Sequence, residues 1–534
     1  MLRPANNTPD KRPVFVKSLT VTVVILALAP ALTRADVDLT KYVAIGDSLT
    51  AGFTDGGLVE TYQETSYPAL LHERFSSVAP FEQPLVSEPG IPPLLELLSL
   101  LSGPVIGPKG EEPGVPLNLG LERPYDNMGI PGASVRHFVR NRVELGEMDD
   151  VPGLYDLIVR PSAFINPQTE LPFTALEHAL LNQPTFVTLW LGNNDVLGAA
   201  TSGIIIDGVT LTTRASFEED YGQVVDAVAA SGAQMAVASI PDVTTIPFVT
   251  TLERFAVYPG RGEETPPDAE PLIGQVLPLF GPDGFQLREG DNVLLTASCY
   301  TAQGCGFGIA VPFVGEPPNV TVGAIRDCLG PGSVEICPFG FLPNHAVLGA
   351  VEARLVKART EELNEVIRAK ADEVGAAYVP TGEYLARLSE QGLNLAGIPY
   401  STEYILGGLF SLDGVHPTAL GYALVANEFI RVINETFGAG LTPVSLTPFV
   451  FGSEQAPAAN VDPASVLMTS EASHALLDTL GAGYEEHPRR LLRRRALERL
   501  FAEQPPEARP ATRGQHALDP ADARERFGRS RSRR

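Results

Sequence analysis

Apolar runs of strand length punctuate the first 380 residues. Tyr42–Ile45, Phe186–Leu191, Met235–Ile240 and Ala376–Val379 each read as a buried β-strand, and a weaker run lies at Arg123–Asn127. Between and after them come stretches whose apolar positions favour helix: Thr65–Phe75, Ser216–Ala230, Ala346–Val374 and Ala419–Phe437, the last three amphipathic. Pro417 precedes the final helix and marks its start. Strands that alternate with helices predict an α/β domain built on a parallel sheet. No internal repeat is visible.

Long polar, Pro/Gly-rich gaps interrupt this alternation at about 76–122, 143–183 and 244–345. Gaps of this length are usually functional or disordered. The first contains the run LLELLSLL, at Leu94–Leu101, which predicts either an acyl-pocket wall or lid, or a satellite core packed on the sheet. After about residue 440 the pattern weakens. Residues 441–488 are rich in Pro, Ala and Thr, and 489–502 read as a short basic amphipathic helix. The Arg-rich end, RSRSRR, is low in complexity and expected to be disordered. The expected organisation is therefore a leader over 1–35, a main domain over 36–440 and a C-terminal extension over 441–534.

The leader reading comes from the first 35 residues. Lys11, Arg12 and Lys17 precede an apolar run from Val21 to Leu32, and Thr33-Arg34-Ala35 ends in a small residue. This is the pattern of a cleaved secretory signal, too short for a membrane span. No later segment is long and apolar enough to span a membrane, so no stable span is expected after cleavage. Export also suits the four cysteines, Cys299, Cys305, Cys328 and Cys337, which are confined to one stretch of the third gap. Disulfides are expected, with Cys299–Cys305 and Cys328–Cys337 the preferred pairing; the spacings are wide for zinc. Four cysteines admit three connectivities, and the other two stay open.

The chain has 534 residues and a formal net charge of −25. Residues 36–488 alone hold 20 basic and 57 acidic residues, a net of −37. So acidic a body repels nucleic acid and anionic membranes. It fits either adaptation to high salt or an ordinary acidic secreted enzyme.

Candidate chemistry begins at Ser48, in YVAIGDSLTAGF. There an apolar strand meets Gly46, and a helix start is expected to lift the serine hydroxyl off the sheet edge. A serine needs a base, normally a histidine held by a carboxylate. Eight histidines are present. In SLDGVHPTALGY, Asp413 stands three residues before His416 with Gly414 between them, a spacing that lets the carboxylate reach one imidazole nitrogen. Glu471 and His474 share that spacing but lack the glycine turn and a preceding strand. An ester oxygen also needs donors as charge develops on it. Gly132, in DNMGIPGASV, offers an N–H with no side chain in the way. Asn194, where the strand FVTLWL runs into Gly192-Asn193-Asn194-Asp195, offers a side-chain amide at the C-terminal edge of the sheet.

GDSL at 46–49, Gly132, Gly192-Asn193-Asn194-Asp195 and Asp413-x-x-His416, in this order, resemble the four blocks of the SGNH (GDSL) hydrolase superfamily. A softer match, IPDVTTIPF at 240–248, resembles its lipolytic esterase/lipase branch. No Gly-x-Ser-x-Gly is present, which sets the chain apart from α/β-hydrolases. The resemblance implies a flavodoxin-like three-layer α/β/α sandwich with about five parallel strands, here enlarged by inserts. It implies a carboxylic ester hydrolase in which Ser48, His416 and Asp413 are catalytic, and Ser48, Gly132 and Asn194 form the oxyanion hole. No metal or cofactor is required. The expected substrate is a small-molecule or lipid acyl ester. Deacetylation of polysaccharide or cell-wall sugars would use the same residues, and a silent binding protein is the remaining class. Substrate identity and oligomeric state are left open.

Overall fold

The computed structural model describes residues 37–480, except 76–78, 101–102, 141–153, 161–162, 258–275, 280, 282–284, 299–341, 343 and 452–461. The leader, the four cysteines and the Arg-rich tail lie outside the described residues.

Five parallel strands form the central sheet: β1 (Tyr42–Gly46), β2 (Asn127–Gly129), β3 (Phe186–Trp190), β4 (Gln234–Ala238) and β5 (Ala377–Val379). Their order is β5-β4-β3-β1-β2, with Ile45 opposite Met128 and Leu189, and Ala236 opposite Ala377. Side chains alternate across a strand, so each strand feeds two cores. Val43, Ile45, Val187, Leu189, Met235 and Val237 join one core. Tyr42, Ala44, Phe186, Trp190, Ala236 and Ala238 join the other. The helices that cover these faces carry the labels α1 (Ser48–Ala51), α2 (Asn194–Ser202), α3 (Arg214–Ala230), α4 (Ala350–Val374), α5 (Thr381–Gln391), α6 (Ala419–Phe437) and α7 (Ser470–Thr479). α3 and α4 pack in the first core through Val224, Val225, Leu363 and Ile367. α6 packs in the second through Tyr422, Phe429 and Ile433. The result is the three-layer α/β/α sandwich, with the chain reversing its direction of travel across the sheet at β1. Ligands bind at the carboxyl ends of the strands beside such a reversal.

Two expected elements start later than read, each for a local reason, whereas the last helix has its expected bounds. β2 begins at Asn127 rather than Arg123, because Arg123 and Lys41 both pair with the buried Asp126 below the strand. α4 begins at Ala350 rather than Ala346. Val347 and Leu348 pair with Asn292 and Val293 as a short antiparallel ladder, and Asp291 Oδ1 accepts the Ala350 N–H at 2.9 Å. Pro417 lies just outside α6; Thr418 caps it, its Oγ1 accepting the Gly421 N–H.

The leucine-rich run of the first insert forms a strand, Leu95–Ser99, antiparallel to Val105–Pro108. Leu95 and Ile106 enter the first core, whereas Leu97, Leu98 and Leu100 are exposed. The C-terminal extension joins this insert. Leu467 and Met468 pair in parallel with Val105 and Ile106, and Met468, Ala472 and Leu476 pack in the same core. Full burial of an aliphatic side chain contributes about 1.5–3 kcal/mol. A chain ending at residue 461 is therefore expected to unfold at a lower temperature than the full chain, by thermal circular dichroism. Coincident melts would show that the extension adds no stability.

Candidate functional site

β1 delivers Ser48 to the sheet edge. A Cβ on Gly46 would lie 1.9 Å from Thr50 Oγ1 and 2.7 Å from the Trp190 carbonyl oxygen, so only glycine lets the chain turn this tightly beside β3. Asp47 caps the single-turn helix α1, its Oδ1 accepting the Leu49 N–H at 3.0 Å. Ser48 is the first residue of that turn. Among the described residues, neither its N–H nor that of Gly132 meets a protein acceptor.

The Asp413/His416 turn arrives from the other end of the chain. Pro417 disfavours a helical backbone at His416, and Gly414 takes a φ of +70° with only 2.9 Å between its virtual Cβ and the Phe248 nitrogen. The loop is closed by Gly414 N–H to Ser411 O at 3.0 Å and Ser411 N–H to His416 O at 2.9 Å. Within it, His416 Nδ1 stands 2.8 Å from Asp413 Oδ2, and His416 Nε2 stands 2.8 Å from Ser48 Oγ. Asp413 Oδ1 accepts the Val415 and His416 N–H groups, both at 2.8 Å, and Oδ2 accepts the Gly56 N–H at 2.9 Å. Burial alone would push the Asp413 carboxyl up. The adjacent His416 and these hydrogen bonds outweigh it and hold the carboxyl below its ordinary value. The carboxylate, imidazole and hydroxyl thus form one buried chain, with His416 oriented to take a proton from Ser48.

Gly132 and Asn194 stand on adjoining loops. Gly132, with φ +78°, follows β2. Asn194 opens α2 after β3, and its Nδ2 donates to Ala133 O at 3.0 Å. That bond uses one amide N–H and leaves the second for another acceptor. Three neighbours, which the sequence reading did not assign, lock these loops together. Asn193 Nδ2 donates to Asp47 Oδ2 at 2.8 Å. Asp195 Oδ2 accepts the Val135 N–H at 3.0 Å. The loops after β1, β2 and β3 are thereby tied by side chains of one tetrapeptide. The rival pair, Glu471 and His474, lies on α7.

An apolar cleft of about 90 Å³ opens beside Ser48 and His416. Its walls include Val243 and Ile246 after β4, Leu424 on α6, and Tyr384, Leu385 and Leu388 on α5. α5 was not read from the sequence, although Tyr384, Leu385 and Leu388 fall at helical spacing. Only Thr381 of this helix is buried; its apolar stripe stays half-exposed along the cleft. None of the described leucines of the first insert lines this cleft. Of the roles expected for the run, wall or lid or packed core, the structure places Leu95 in the core, and pairing of Leu95–Ser99 with Val105–Pro108 holds Leu97 and Leu98 away from the cleft. Gly132 and Asn194 are not among its lining residues either.

The model of the family described as GDSL-like lipase/acylhydrolase matches residues 42–280. No curated protein matches the chain. Among solved structures, the chain is similar to a variant of Axe2, an acetyl-xylooligosaccharide esterase from Geobacillus Stearmophilus. The identity is 12%, covering 76% of this chain and 96% of that one, with a TM-score of 0.29. It is also similar to a GDSL-like lipase from Parabacteroides merdae at 14% identity, covering 76% and 99%, with a TM-score of 0.27. Superpositions this loose carry no weight for the site.

Burial also pushes up the carboxyls of Asp47 and Asp195, to about 6 and about 7. An unfolded aspartate titrates near 3.9. Between about pH 4 and 7 the folded chain therefore binds more protons than the unfolded one, and these groups make stability fall as pH rises through that window. The acidic body acts in the same direction, so the comparison must be with a variant. Asp195→Asn keeps an acceptor for Val135 and is expected to lose less Tm than the parent between pH 5 and pH 8. Parallel Tm profiles would show that Asp195 carries no such shift.

Proposed function

We propose that the chain is a carboxylic ester hydrolase of the GDSL-like lipase/acylhydrolase type that cleaves esters of aliphatic acyl chains, with Ser48 as nucleophile. The observation that carries this reading is the continuous hydrogen-bonded line from Asp413 through His416 to Ser48, opening on an apolar cleft.

In the proposed reaction Ser48 Oγ attacks the ester carbonyl carbon while His416 Nε2 takes its proton. Asp413 holds the Nδ1–H and stabilises the imidazolium. The carbonyl oxygen, now negative, receives the N–H groups of Ser48 and Gly132 and the free amide N–H of Asn194. When the tetrahedral intermediate collapses, the C–O bond to the alcohol breaks and His416 returns its proton to the leaving oxygen. Water then attacks the acyl-enzyme, with His416 again as base, and releases the acid and Ser48.

The acyl part is assigned by position. Gly132 and Asn194 follow β2 and β3, whereas the cleft extends from Ser48, Trp190, Asn193 and Leu197 toward walls that follow β4 and β5. An ester with its oxygen toward Gly132 and Asn194 can lay its chain along Val243, Ile246 and α5. Burying methylenes there contributes about 0.8 kcal/mol for each CH₂. An exported location, supported by the basic start and apolar run of the first 35 residues, is part of the same proposal.

The test is hydrolysis of chromogenic esters from acetyl to dodecanoyl by the purified chain. Activity is expected to extend beyond acetyl and to vanish in Ser48→Ala. Leu388→Trp, which fills the cleft, should lower the rate on long chains relative to acetyl. Asn194→Ala should reduce kcat on the order of 10²–10³-fold, the effect of removing one oxyanion donor. A profile confined to acetyl groups would favour a sugar deacetylase instead, and normal activity in Ser48→Ala would remove the mechanism.

A further inference from the structure

The chain reverses just after α1, and the tip of that reversal is spent on the histidine loop. Thr54 and Gly57 pair across it, with N–H to O distances of 3.1 and 3.2 Å. Asp55 and Gly56 occupy its centre with φ values of +51° and +78°. These are the two left-handed residues of an Asp-Gly hairpin turn. Such a turn accepts Asp, Asn or Gly at its first central position, and nothing in turn geometry requires the side chain to be buried.

Here Asp55 is 3% exposed. Its N–H donates to Ser411 Oγ at 3.1 Å and its carbonyl oxygen accepts the Leu95 N–H at 2.7 Å. Its Oδ1 accepts the Leu412 N–H at 2.8 Å and its Oδ2 the Tyr62 hydroxyl at 2.8 Å. The next residue, Gly56, donates to the same Asp413 oxygen that faces His416 Nδ1. Tyr404 donates its hydroxyl to Leu412 O from the far side. Two of the three residues 411–413 are thus bonded directly to Asp55, and the third to Gly56.

This arrangement is electrostatically expensive. Asp413, a like charge, acts on Asp55, while Lys109 acts on it as a minor favourable charge and is itself paired with the exposed Glu88. Burial pushes the Asp55 carboxyl up to about 6. A buried carboxylate without an ion-pair partner costs stability that a glycine in the same turn would not.

We propose that Asp55 is a positioning residue for the Asp413–His416 pair, fixing the 411–416 turn at the register where His416 Nε2 reaches Ser48 Oγ. It never touches substrate; it acts through Leu412, Ser411 and Asp413. The cleft walls at Val243, Ile246 and α5 lie on other elements, and only Leu409, Phe410, Val415, His416 and Pro417 come from beside or within the turn it holds, so its loss should show more in turnover than in substrate binding. The inference rests on the roles proposed above for Ser48, His416 and Asp413.

The test compares Asp55→Gly and Asp55→Asn in the full chain, with His416→Ala alongside. Asp55→Gly keeps the left-handed backbone and deletes the carboxylate. Asp55→Asn, a residue also tolerated there, keeps an acceptor for Leu412. Asp55→Gly is expected to lower kcat by about tenfold or more, as misplacement of a catalytic group does, with KM within about twofold. Asp55→Asn should recover most of that loss. A folded Asp55→Gly with parental kcat would overturn the proposal, as would a loss that falls equally on kcat and KM and is not restored by Asn. Should Asp55→Gly fail to fold, Ser411→Ala removes the acceptor of the Asp55 N–H and leaves the turn intact. It should then show the same selective fall in kcat, and parental kcat in that variant would overturn the proposal. Full activity in His416→Ala is a different failure, since it would remove the underlying mechanism as well.

Discussion

A carboxylate with no exposed surface must be satisfied by the protein, and Asp413 faces four nitrogens: the N–H groups of Gly56, Val415 and His416 and the imidazole Nδ1. Desolvation disfavours its charge, and these contacts reverse that penalty. The same contacts fix which way the imidazole points, because Nδ1 is committed to Asp413 and Nε2 is left to face Ser48. Much of the surrounding architecture follows from keeping this group charged. Gly414 must adopt a left-handed conformation against Phe248, and the 54–57 turn must reach across from the start of the chain. Ser48 and His416 are 368 residues apart and meet only because the loop after β1 and the turn before α6 lie at one sheet edge.

That edge is produced by topology. β1 lies inside the sheet with β2 on one side and β3 on the other, so the loops after all three converge. The tetrapeptide Gly192–Asp195 exploits the convergence. Asn193 holds the loop after β1 through Asp47, while Asn194 and Asp195 hold the loop after β2 through Ala133 and Val135. Three consecutive polar side chains thus set the spacing between the serine, the glycine and the amide. Two of the carboxylates involved, Asp47 and Asp195, are strained toward protonation by burial. Rigidity at the site is obtained at some expense to stability near neutral pH.

Features that depend on local spacing were legible in the sequence. A three-residue interval from Asp413 to His416, the glycines at the ends of β1 and β3 and a proline before α6 are short-range facts, and four of the five strands announce themselves as apolar runs. What escaped depends on tertiary contact. α5 has helical spacing at Tyr384, Leu385 and Leu388, but nothing local says that its apolar stripe faces a cleft. Asp55-Gly56 carries a hairpin signal, yet only the fold shows its carboxylate buried against Leu412. The leucines at 97 and 98 looked suited to an acyl wall from hydrophobicity alone. Pairing with Val105–Pro108 takes them to another surface. Residues 462–480 looked like an appendage because their composition is weakly patterned, whereas Met468 and Leu476 pack in the main core.

The division of the site around Ser48 bears on selectivity. On the proposed reading, the side of Gly132 presents mainly backbone N–H groups and one amide, which recognise an oxygen common to all esters. The opposite side presents side chains from α5, α6 and the loop after β4, and these contact the part of the substrate that differs between esters. A charge-poor wall such as Leu385 and Leu388 gains from each added methylene but offers little to a hydroxylated sugar, whose polar groups would lose water without new partners. Discrimination should therefore fall on the acyl chain, and it should be graded, because one methylene in a hydrophobic pocket changes binding by only about 1–3 kcal/mol.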